Sequence, residues 1–420
     1  MEKVKITQIP NGITIVTEKL THVKSFSLGF WFNVGSRNET SENNGISHFI
    51  EHMLFKGTKH RSAKKIAEEI ESLGGYLNAF TSKEHTCFYG RGMSQHIEKT
   101  FEVIADMIQY PLFRPSDISK ESSVVIDELY DIEDNPEELI FDKFESNIFS
   151  GSSLGLPIIG TEKNLKKFRQ SDLFKYKDEN YRLNNLFIVA SGFVNHEDIV
   201  QYTKKYFKNS KKEKAKKSAE QFINNSFNIS NDLYIYKETQ QSHIIIGGTT
   251  YGYNDKRRIG VSVLSHILGE GSSSRLFQLV REKNGIAYQI NTFLNSFYDI
   301  STFGVYFSTN DKYVEKAMNL VYSEFKKLMT KIVSEWELTK AKEYLIGNIL
   351  MSLESTTNRM IRVGQSMIYF NRVKPINEII KQIEKVTKED ILELSNQLFE
   401  EDKLKRVILS SKNLLLQKVA

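Results

Sequence analysis

The sequence contains a single cysteine, Cys87, and this scarcity excludes two kinds of site. One thiol cannot form a disulfide bond within the chain, and it cannot supply the several thiolates of a structural zinc cluster. A metal ion bound by this chain would therefore be held by histidine, aspartate or glutamate. We expect the cysteine itself to be a small buried side chain on a strand.

The sequence also lacks a long apolar run. No stretch approaches the roughly 18 residues needed to cross a bilayer as a helix, and the apolar segment 186–190 has the length of a strand. The first residues alternate charged and apolar side chains, without the apolar stretch of a signal peptide before Pro10. These features predict a cytoplasmic protein with no membrane partner.

A strong excess of one charge is absent as well, because 57 lysines and arginines are set against 52 aspartates and glutamates. With 40% apolar residues, including 27 phenylalanines and 19 tyrosines, the composition is that of a globular protein. The positive excess is concentrated in the lysine-rich stretch 204–217, which lacks the aromatic stacking pattern of a nucleic-acid-binding surface. We interpret this stretch as a helix end and a linker, and we expect no nucleic-acid partner.

The lysine-rich stretch lies near the middle of the 420 residues and separates two halves with the same order of predicted elements. Each half begins with two strand patterns, contains a long helix (117–134 in the first, 336–353 in the second) and ends on an apolar strand. This repetition predicts an α+β fold of two similar domains, each a mainly antiparallel sheet covered by helices. We place the domains at residues 1–208 and 233–420, joined by a linker at 209–232.

The sharpest chemical signal is an H-x-x-E-H pattern formed by His48, Glu51 and His52. The spacing of the apolar residues around it predicts an amphipathic helix, on which residues four apart share a face. The two imidazoles could then bind one zinc ion, with Glu51 beside them to accept a proton from water. The order is the inverse of the H-E-x-x-H of many zinc peptidases. Two surface histidines on a helix are the alternative interpretation.

A catalytic zinc site requires a third protein ligand, and the acidic helix predicted near 117–134 offers candidates. Glu121 and Glu128 lie two turns apart on one face, bordering an apolar stripe, where an unpaired carboxylate would be costly. Spacing alone does not choose between them. Asp127 and its neighbouring acids are better interpreted as solvated surface charge.

Several runs of the sequence resemble the pitrilysin/insulinase family of inverse-motif zinc peptidases. The likeness is to the short branch that contains bacterial processing proteases and the beta subunit of the mitochondrial processing peptidase. The runs cover most of the chain, and they are 44–58, 74–81, 121–128, 135–136, 160–161, 274–276 and 281–288.

The resemblance implies a role for each matching residue of the first half. His48, His52 and Glu128 would bind one Zn²⁺ per chain, and Glu51 would be the general base. Glu121 would support the site by contacting a ligand and not the metal.

The resemblance also implies how a substrate would be held. Asn78, Ala79 and Phe80 would form an edge strand to which a peptide adds as a further strand. Arg281 and Tyr288, in the second half, would contact substrate carbonyls. The implied activity is that of a zinc metalloendopeptidase acting on short or unfolded peptides.

Members of the short branch carry two such domains per chain, and the resemblance therefore implies that two chains face each other around a closed chamber. A homodimer is favoured because this sequence holds both the zinc residues and the Arg-Tyr pair. The competing hypothesis is a non-catalytic scaffold or core-type subunit of the same family. Subunits of that kind have degenerate zinc motifs.

Overall fold

The computed structural model describes residues 3–208 and 232–412. The predicted linker at 209–232 therefore lies outside the described residues, apart from Asp232. The first half of the described chain contains helices Ile46–Leu54 (α1), Ala63–Glu71 (α2), Ile97–Gln109 (α3), Pro115–Asp134 (α4), Pro136–Ile148 (α5), Glu162–Lys167 (α6), Gln170–Asn180 (α7) and His196–Tyr206 (α8). The second half contains Arg258–Gly269 (α9), Val314–Thr330 (α10), Glu335–Ser352 (α11), Thr356–Phe370 (α12), Ile376–Glu384 (α13) and Lys388–Leu398 (α14).

The strands fall into two groups along the chain. Those of the first group are Lys3–Gln8 (β1), Thr14–Lys19 (β2), Ser25–Phe32 (β3), Tyr76–Thr81 (β4), Thr86–Met93 (β5) and Leu186–Gly192 (β6). Those of the second are Leu233–Tyr236 (β7), Ser242–Tyr251 (β8), Ala287–Ser296 (β9), Ile300–Thr309 (β10) and Lys405–Ser410 (β11). A seven-residue π-helical segment, Phe277–Lys283, precedes β9.

The two sheets share one topology. The first has the order β1-β2-β6-β3-β5-β4 and the second β7-β11-β8-β10-β9, so the second repeats the first without the outermost strand β1. Each sheet has a single parallel pair, β2 with β6 and β7 with β11, while the other neighbours are antiparallel. The predicted α+β fold of two similar, mainly antiparallel domains is confirmed.

The described chain forms two compact units, and these differ from the predicted boundaries in two segments. Segment Asp131–Gly155, which contains α5, belongs to the second unit, and segment Met351–Pro375, which contains α12, belongs to the first. The reason is that each helix buries its apolar stripe on a sheet formed by the other half of the sequence.

The helix α12 packs on one face of the first sheet. Met360 accepts a hydrogen bond at its sulfur from the indole N–H of Trp31 (3.2 Å). A Cβ at Gly364 would lie 2.4 Å from the Trp31 ring, so the absence of a side chain there lets the helix approach the indole. The same buried cluster contains Cys87, which is free and buried as expected.

In the second unit, α5 covers the corresponding face of the second sheet. Its buried residues Ile140, Phe144 and Ile148 pack in one cluster with Ile245, on β8, and Val407, on β11. The sheet face is apolar because alternate residues of its central strands point to it. Among the helices of residues 3–208 and 232–412, none is long and apolar enough to cross a membrane.

A buried ion cluster fixes α12 to the first sheet. Glu18, on β2, is fully buried, and its Oε1 atom lies 3.0 Å from Arg359 Nη1 and 3.1 Å from Arg362 Nη2. Removing the carboxylate would leave two largely buried guanidinium groups without its charge, which typically costs about 3 kcal/mol or more.

We predict that Glu18→Ala lowers the free energy of unfolding of the first unit by about 3 kcal/mol, because two buried arginines lose their common partner. The measurement is urea unfolding followed by tryptophan fluorescence. The chain has two tryptophans, so a Trp336→Phe background leaves the buried Trp31 as the remaining probe of this unit.

The matched control is Glu197→Ala, which removes an exposed carboxylate paired with Lys5 at 2.8 Å. We expect this variant to keep the wild-type midpoint, because exposed ion pairs contribute little. Equal midpoints for the Glu18 and Glu197 variants would show that the buried cluster does not hold the helix.

Candidate metal centre

The helix α1 carries the H-x-x-E-H residues on a partly covered face. Its apolar residues are buried, and they are Ile46, Phe49, Ile50, Met53 and Leu54. The side chains of His48 and His52 keep 12% and 23% of their surface exposed. Their ring centroids are 4.6 Å apart, as expected for residues one turn apart on one helical face.

The start of α1 is fixed by a carboxylate that precedes it in sequence. The residue at the N-cap is Gly45 in the left-handed conformation (φ 95°), and a glycine has no side chain with which to cap the helix. Glu39 takes this role, because its Oε2 accepts from the Gly45 N–H and its Oε1 from the Ser47 N–H, both at 2.8 Å. A side chain at Gly45 would also collide with Gly160, since a Cβ would lie 2.7 Å from its Cα.

Glu39 is buried, with 4% of its surface exposed, yet no pattern in the sequence indicates its importance. Burial raises its pKa to about 7, against the opposing effect of the hydrogen bonds it accepts from the helix start. Local periodicity gives no sign of this carboxylate, because it lies in the loop between β3 and α1.

The helix α4 presents two glutamates to α1. Its apolar residues Ile118, Val125 and Ile126 are buried, and this orients Glu121 inward as a buried carboxylate. Glu128, two turns later, keeps 43% of its side-chain surface exposed. Spacing alone does not distinguish the two glutamates as the third ligand, but their burial in the structure does.

Glu128 lies close to the Nε2 atoms of both histidines. Its Oε1 is 3.8 Å from His48 Nε2 and its Oε2 is 3.5 Å from His52 Nε2. One ligand atom from each of the three residues can be chosen so that all lie within 4.8 Å of one another. Within residues 3–208 and 232–412, this is the cluster of at least three His, Cys, Asp or Glu that has metal-binding spacing.

The donor set fits zinc. Ligand atoms about 2.1 Å from a tetrahedral zinc ion lie about 3.4 Å from one another, close to the distances between Glu128 and the two histidines. Two imidazoles and one carboxylate are a donor combination found in catalytic zinc sites, and they leave a fourth position open. A metal at this place would also compensate the exposed charge of Glu128.

Glu121 contacts the far side of His52. Its Oε1 accepts a hydrogen bond from His52 Nδ1 (2.9 Å), which leaves Nε2 as the nitrogen directed towards Glu128. A carboxylate behind a ligating histidine fixes its tautomer and its ring orientation. Lys56 Nζ lies 2.5 Å from the other oxygen of Glu121, a role that no local sequence pattern indicates for this lysine.

The two histidines differ in their protonation. Burial, assisted by the nearby His52, lowers the pKa of His48 to about 4, so its imidazole is neutral at neutral pH. Burial alone would lower the pKa of His52 too, but the hydrogen bond to Glu121 and the charge of Glu128 raise it overall. Although burial opposes it, hydrogen bonds from His52 and Lys56 lower the pKa of Glu121, which stays ionised.

Glu51 is adjacent to His52 and is held from the first sheet. The hydroxyl of Thr81, the last residue of β4, donates a hydrogen bond to its Oε2 (2.5 Å). Burial raises the pKa of Glu51 above its ordinary value despite this hydrogen bond. A carboxyl group of raised pKa is better suited to taking up and returning a proton.

The predicted substrate strand lies at the edge of the first sheet. Asn78, Ala79 and Phe80 are in β4, which pairs with β5 on one side and is the last strand in the sheet order. Asn78 is exposed, and Ala79 and Phe80 are half-buried. The structure therefore brings this edge strand and the metal cluster together in the first unit.

Arg281 and Tyr288 lie together in the second unit. The Arg281 guanidinium carbon is 5.0 Å from the centre of the Tyr288 ring and 4.7 Å from that of Phe277. Tyr288, the second residue of β9, is 76% exposed, which is unusual for a large aromatic side chain in a strand. Arg281 comes from the π-helical segment, a local irregularity that is frequent at functional sites.

Comparison with protein families gives two matches. Residues 14–162 match the model of the insulinase family (peptidase family M16), and residues 167–345 match the model described as the peptidase M16 inactive domain. The first match contains the three residues of the candidate metal centre, and the second contains Arg281 and Tyr288.

Individual relatives span nearly the whole chain. A chain from Rickettsia felis described as an uncharacterized zinc protease is 36% identical over 404 residues, which is 95% of both chains. A Bacillus subtilis chain of the same description is 34% identical and covers 96% of this chain and 98% of its own. The crystal structure of a protease from Helicobacter pylori has the same fold, with a TM-score of 0.91 at 21% identity over 98% of this chain and 100% of its own.

The buried Glu39 carboxyl generates a pH-dependent stability that can be measured. Its folded-state pKa of about 7 lies above the ordinary value of 4.5, so its contribution is full at low pH and is lost as pH rises towards 7. We predict that the free energy of unfolding of the wild type, relative to Glu39→Gln, falls by about 2 kcal/mol between pH 5 and pH 7.5.

Urea unfolding of both proteins at the two pH values, with a chelator present, makes the measurement. The chelator removes any contribution of metal binding. Parallel pH dependences for the two proteins would contradict the raised pKa of Glu39.

Proposed function

The chain belongs to the insulinase (M16) family of peptidases, and from this premise we propose that it is a zinc metalloendopeptidase that hydrolyses short or unfolded peptides. The observation that carries the proposal is the convergence of His48, His52 and Glu128 within 4.8 Å, with Glu51 on the same helix. The zinc-protease names of the relatives support the proposal at the level of the family.

Under this proposal, His48, His52 and Glu128 hold one zinc ion per chain. Bound there, zinc would polarise the scissile carbonyl group and lower the pKa of a water molecule in the open position. Two properties of the side chains prepare the site. His48 is neutral at neutral pH because its pKa is lowered to about 4, and His52 is oriented by its hydrogen bond to Glu121.

Glu51 acts as the general base. Its carboxylate accepts a proton from the attacking water and later returns it to the nitrogen of the leaving amine. The partial burial that raises its pKa favours this exchange, because a more basic carboxylate takes the proton more readily. General acid-base catalysis of this kind contributes about 10²- to 10⁴-fold to the rate.

The substrate binds as an added strand along β4. Among residues 3–208 and 232–412, no strand pairs with the outer edge of β4, so its backbone groups can pair with an extended peptide. Backbone pairing along Asn78, Ala79 and Phe80 demands extended conformation and little particular sequence. Unfolded or short peptides meet this requirement, whereas the strands of a folded protein are already paired.

Arg281 and Tyr288 bind carbonyl oxygens of the substrate. Arginine and tyrosine both donate hydrogen bonds and have no competing role as metal ligands here. The Arg281 guanidinium lies over the Tyr288 ring, and this cation–π contact holds the two donors side by side.

A non-catalytic scaffold is the second candidate. The match of residues 167–345 to a domain described as inactive is compatible with it. That match covers the half without the metal cluster, and the first half retains His48, Glu51, His52 and Glu128. We therefore favour the peptidase. The homodimer around a chamber, the resemblance to processing peptidases in particular and the cytoplasmic location remain predictions.

We predict that Glu51→Gln keeps one zinc ion per chain and lowers kcat for peptide cleavage by about 10²- to 10⁴-fold, because the amide cannot accept the proton. Zinc content is measured by mass spectrometry and cleavage with a peptide library. As a control, Asp127→Asn removes an exposed carboxylate beside Glu128 and should change neither quantity. A fully active Glu51→Gln protein would refute the proposed mechanism.

Arg281→Ala should lower kcat/KM by about tenfold or more with zinc content unchanged, because it removes a charged hydrogen-bond donor to the substrate. The matched control is Lys283→Ala, which removes an exposed positive charge two residues away. If both variants have wild-type kinetics, the arginine does not bind substrate. If both are equally impaired, net charge rather than a specific contact is responsible.

A further inference from the structure

The contact between Thr81 and Glu51 joins two elements that are distant in sequence. The hydroxyl of Thr81 donates to Glu51 Oε2 at 2.5 Å, across a separation of 30 residues. Thr81 ends β4, and Glu51 lies in the middle of α1, which packs on that strand. Neither the family matches nor the names of the relatives assign a role to Thr81.

A general base must keep one carboxylate oxygen directed at the reacting water. The glutamate side chain has three rotatable bonds, so its carboxylate can take several directions unless a contact fixes one. A hydrogen bond to Oε2 fixes that oxygen and leaves Oε1 for the water. The reaction is sensitive to such placement, because a displacement of about 1 Å can cost about 10²-fold in rate.

The position of Thr81 is itself well fixed. Its backbone pairs with Thr86 of β5, and the hydroxyl of Thr86 donates to the carbonyl of Val34 at 2.9 Å. As a β-branched residue, Thr81 also has a restricted χ1 angle, so its hydroxyl group has few alternative directions. The strand pairing and the restricted χ1 angle together define the direction of the donor.

The same strand carries the proposed substrate edge. Asn78, Ala79 and Phe80 precede Thr81 directly in β4. The proposed substrate peptide and the Glu51 carboxylate would thus both contact β4. Through the Thr81 hydrogen bond, the direction of the Glu51 carboxylate depends on the position of the strand that would hold the substrate.

We propose that Thr81 is a positioning residue that orients the Glu51 carboxylate as general base and couples it to the substrate-binding strand. This inference rests on the proposed peptidase function. The role is distinct from that of Glu121, which contacts the ligand His52 and not the base.

The test compares Thr81→Val, which has the same shape without the hydroxyl, with Thr81→Ser, which keeps the hydroxyl. We expect Thr81→Val to lower kcat by about 10- to 100-fold with KM and zinc content unchanged, because the substrate strand and the ligands stay in place. Thr81→Ser should retain kcat within about threefold, because it restores the donor.

Thr86→Val is the matched control. It removes a buried hydroxyl from the residue paired with Thr81, and that hydroxyl contacts Val34 rather than Glu51. A merely structural role of Thr81 would make the two valine variants alike. Wild-type kcat in Thr81→Val, equal losses in the Val and Ser variants at Thr81, or loss of zinc in Thr81→Val would overturn the proposal.

Crystal structures of zinc-loaded wild type and Thr81→Val provide a readout that does not depend on activity. The proposal expects the Glu51 carboxylate to turn away from its wild-type direction in the variant. An unmoved carboxylate would overturn the positioning role even if kcat falls. If the wild type cleaves no peptide in the library, the peptidase function fails, and the two structures still decide whether Thr81 holds Glu51.

Discussion

The hydrogen bond between His52 and Glu121 is the interaction on which the candidate metal centre depends, because it connects α1 to α4. Because Nδ1 of His52 is used in this contact, Nε2 is the nitrogen that faces Glu128. A buried carboxylate is costly without partners, and Glu121 obtains two, from His52 and Lys56. The same hydrogen bond therefore compensates the buried carboxylate of Glu121 and orients the imidazole of His52. The remaining parts of the centre are arranged around two helices fixed in this way.

The rest of the centre is supported from the other side of α1. Glu39 satisfies the N–H groups at the helix start, and Thr81 contacts Glu51 from the sheet. Thus each chemically important side chain of the helix has a partner that lies outside it. His48 is the exception in one respect, since its Nδ1 is buried without a hydrogen-bond partner among residues 3–208 and 232–412. Burial and the nearby His52 lower the pKa of His48 and keep this imidazole neutral.

Much of this arrangement could be predicted from the sequence, because it follows from periodicity. The helix predicted at 117–134 is α4, Pro115–Asp134, and the one at 336–353 is α11, Glu335–Ser352. Spacing placed His48 and His52 on one face but did not choose between Glu121 and Glu128, and only the family resemblance indicated Glu128. The crossing of α1 and α4, which no local pattern encodes, is what separates the two positions. The partners Glu39, Lys56 and Thr81 were missed for the same reason. Each is an ordinary loop or strand-end residue whose importance comes from a contact distant in the chain.

The exchange of α5 and α12 between the two halves of the sequence has a consequence for how the protein is made. During synthesis, the first sheet is complete once β6 has been made, but α12, which covers Trp31, follows more than 160 residues later. Domains generally fold as units during translation, but here the apolar face of the first sheet stays uncovered until α12 has been synthesised. The first unit is thus the earlier to begin and cannot be finished before most of the second has emerged. At a synthesis rate of about 5–20 residues per second, the nascent chain would expose that face for several seconds or longer. During this interval a chaperone could bind the exposed face.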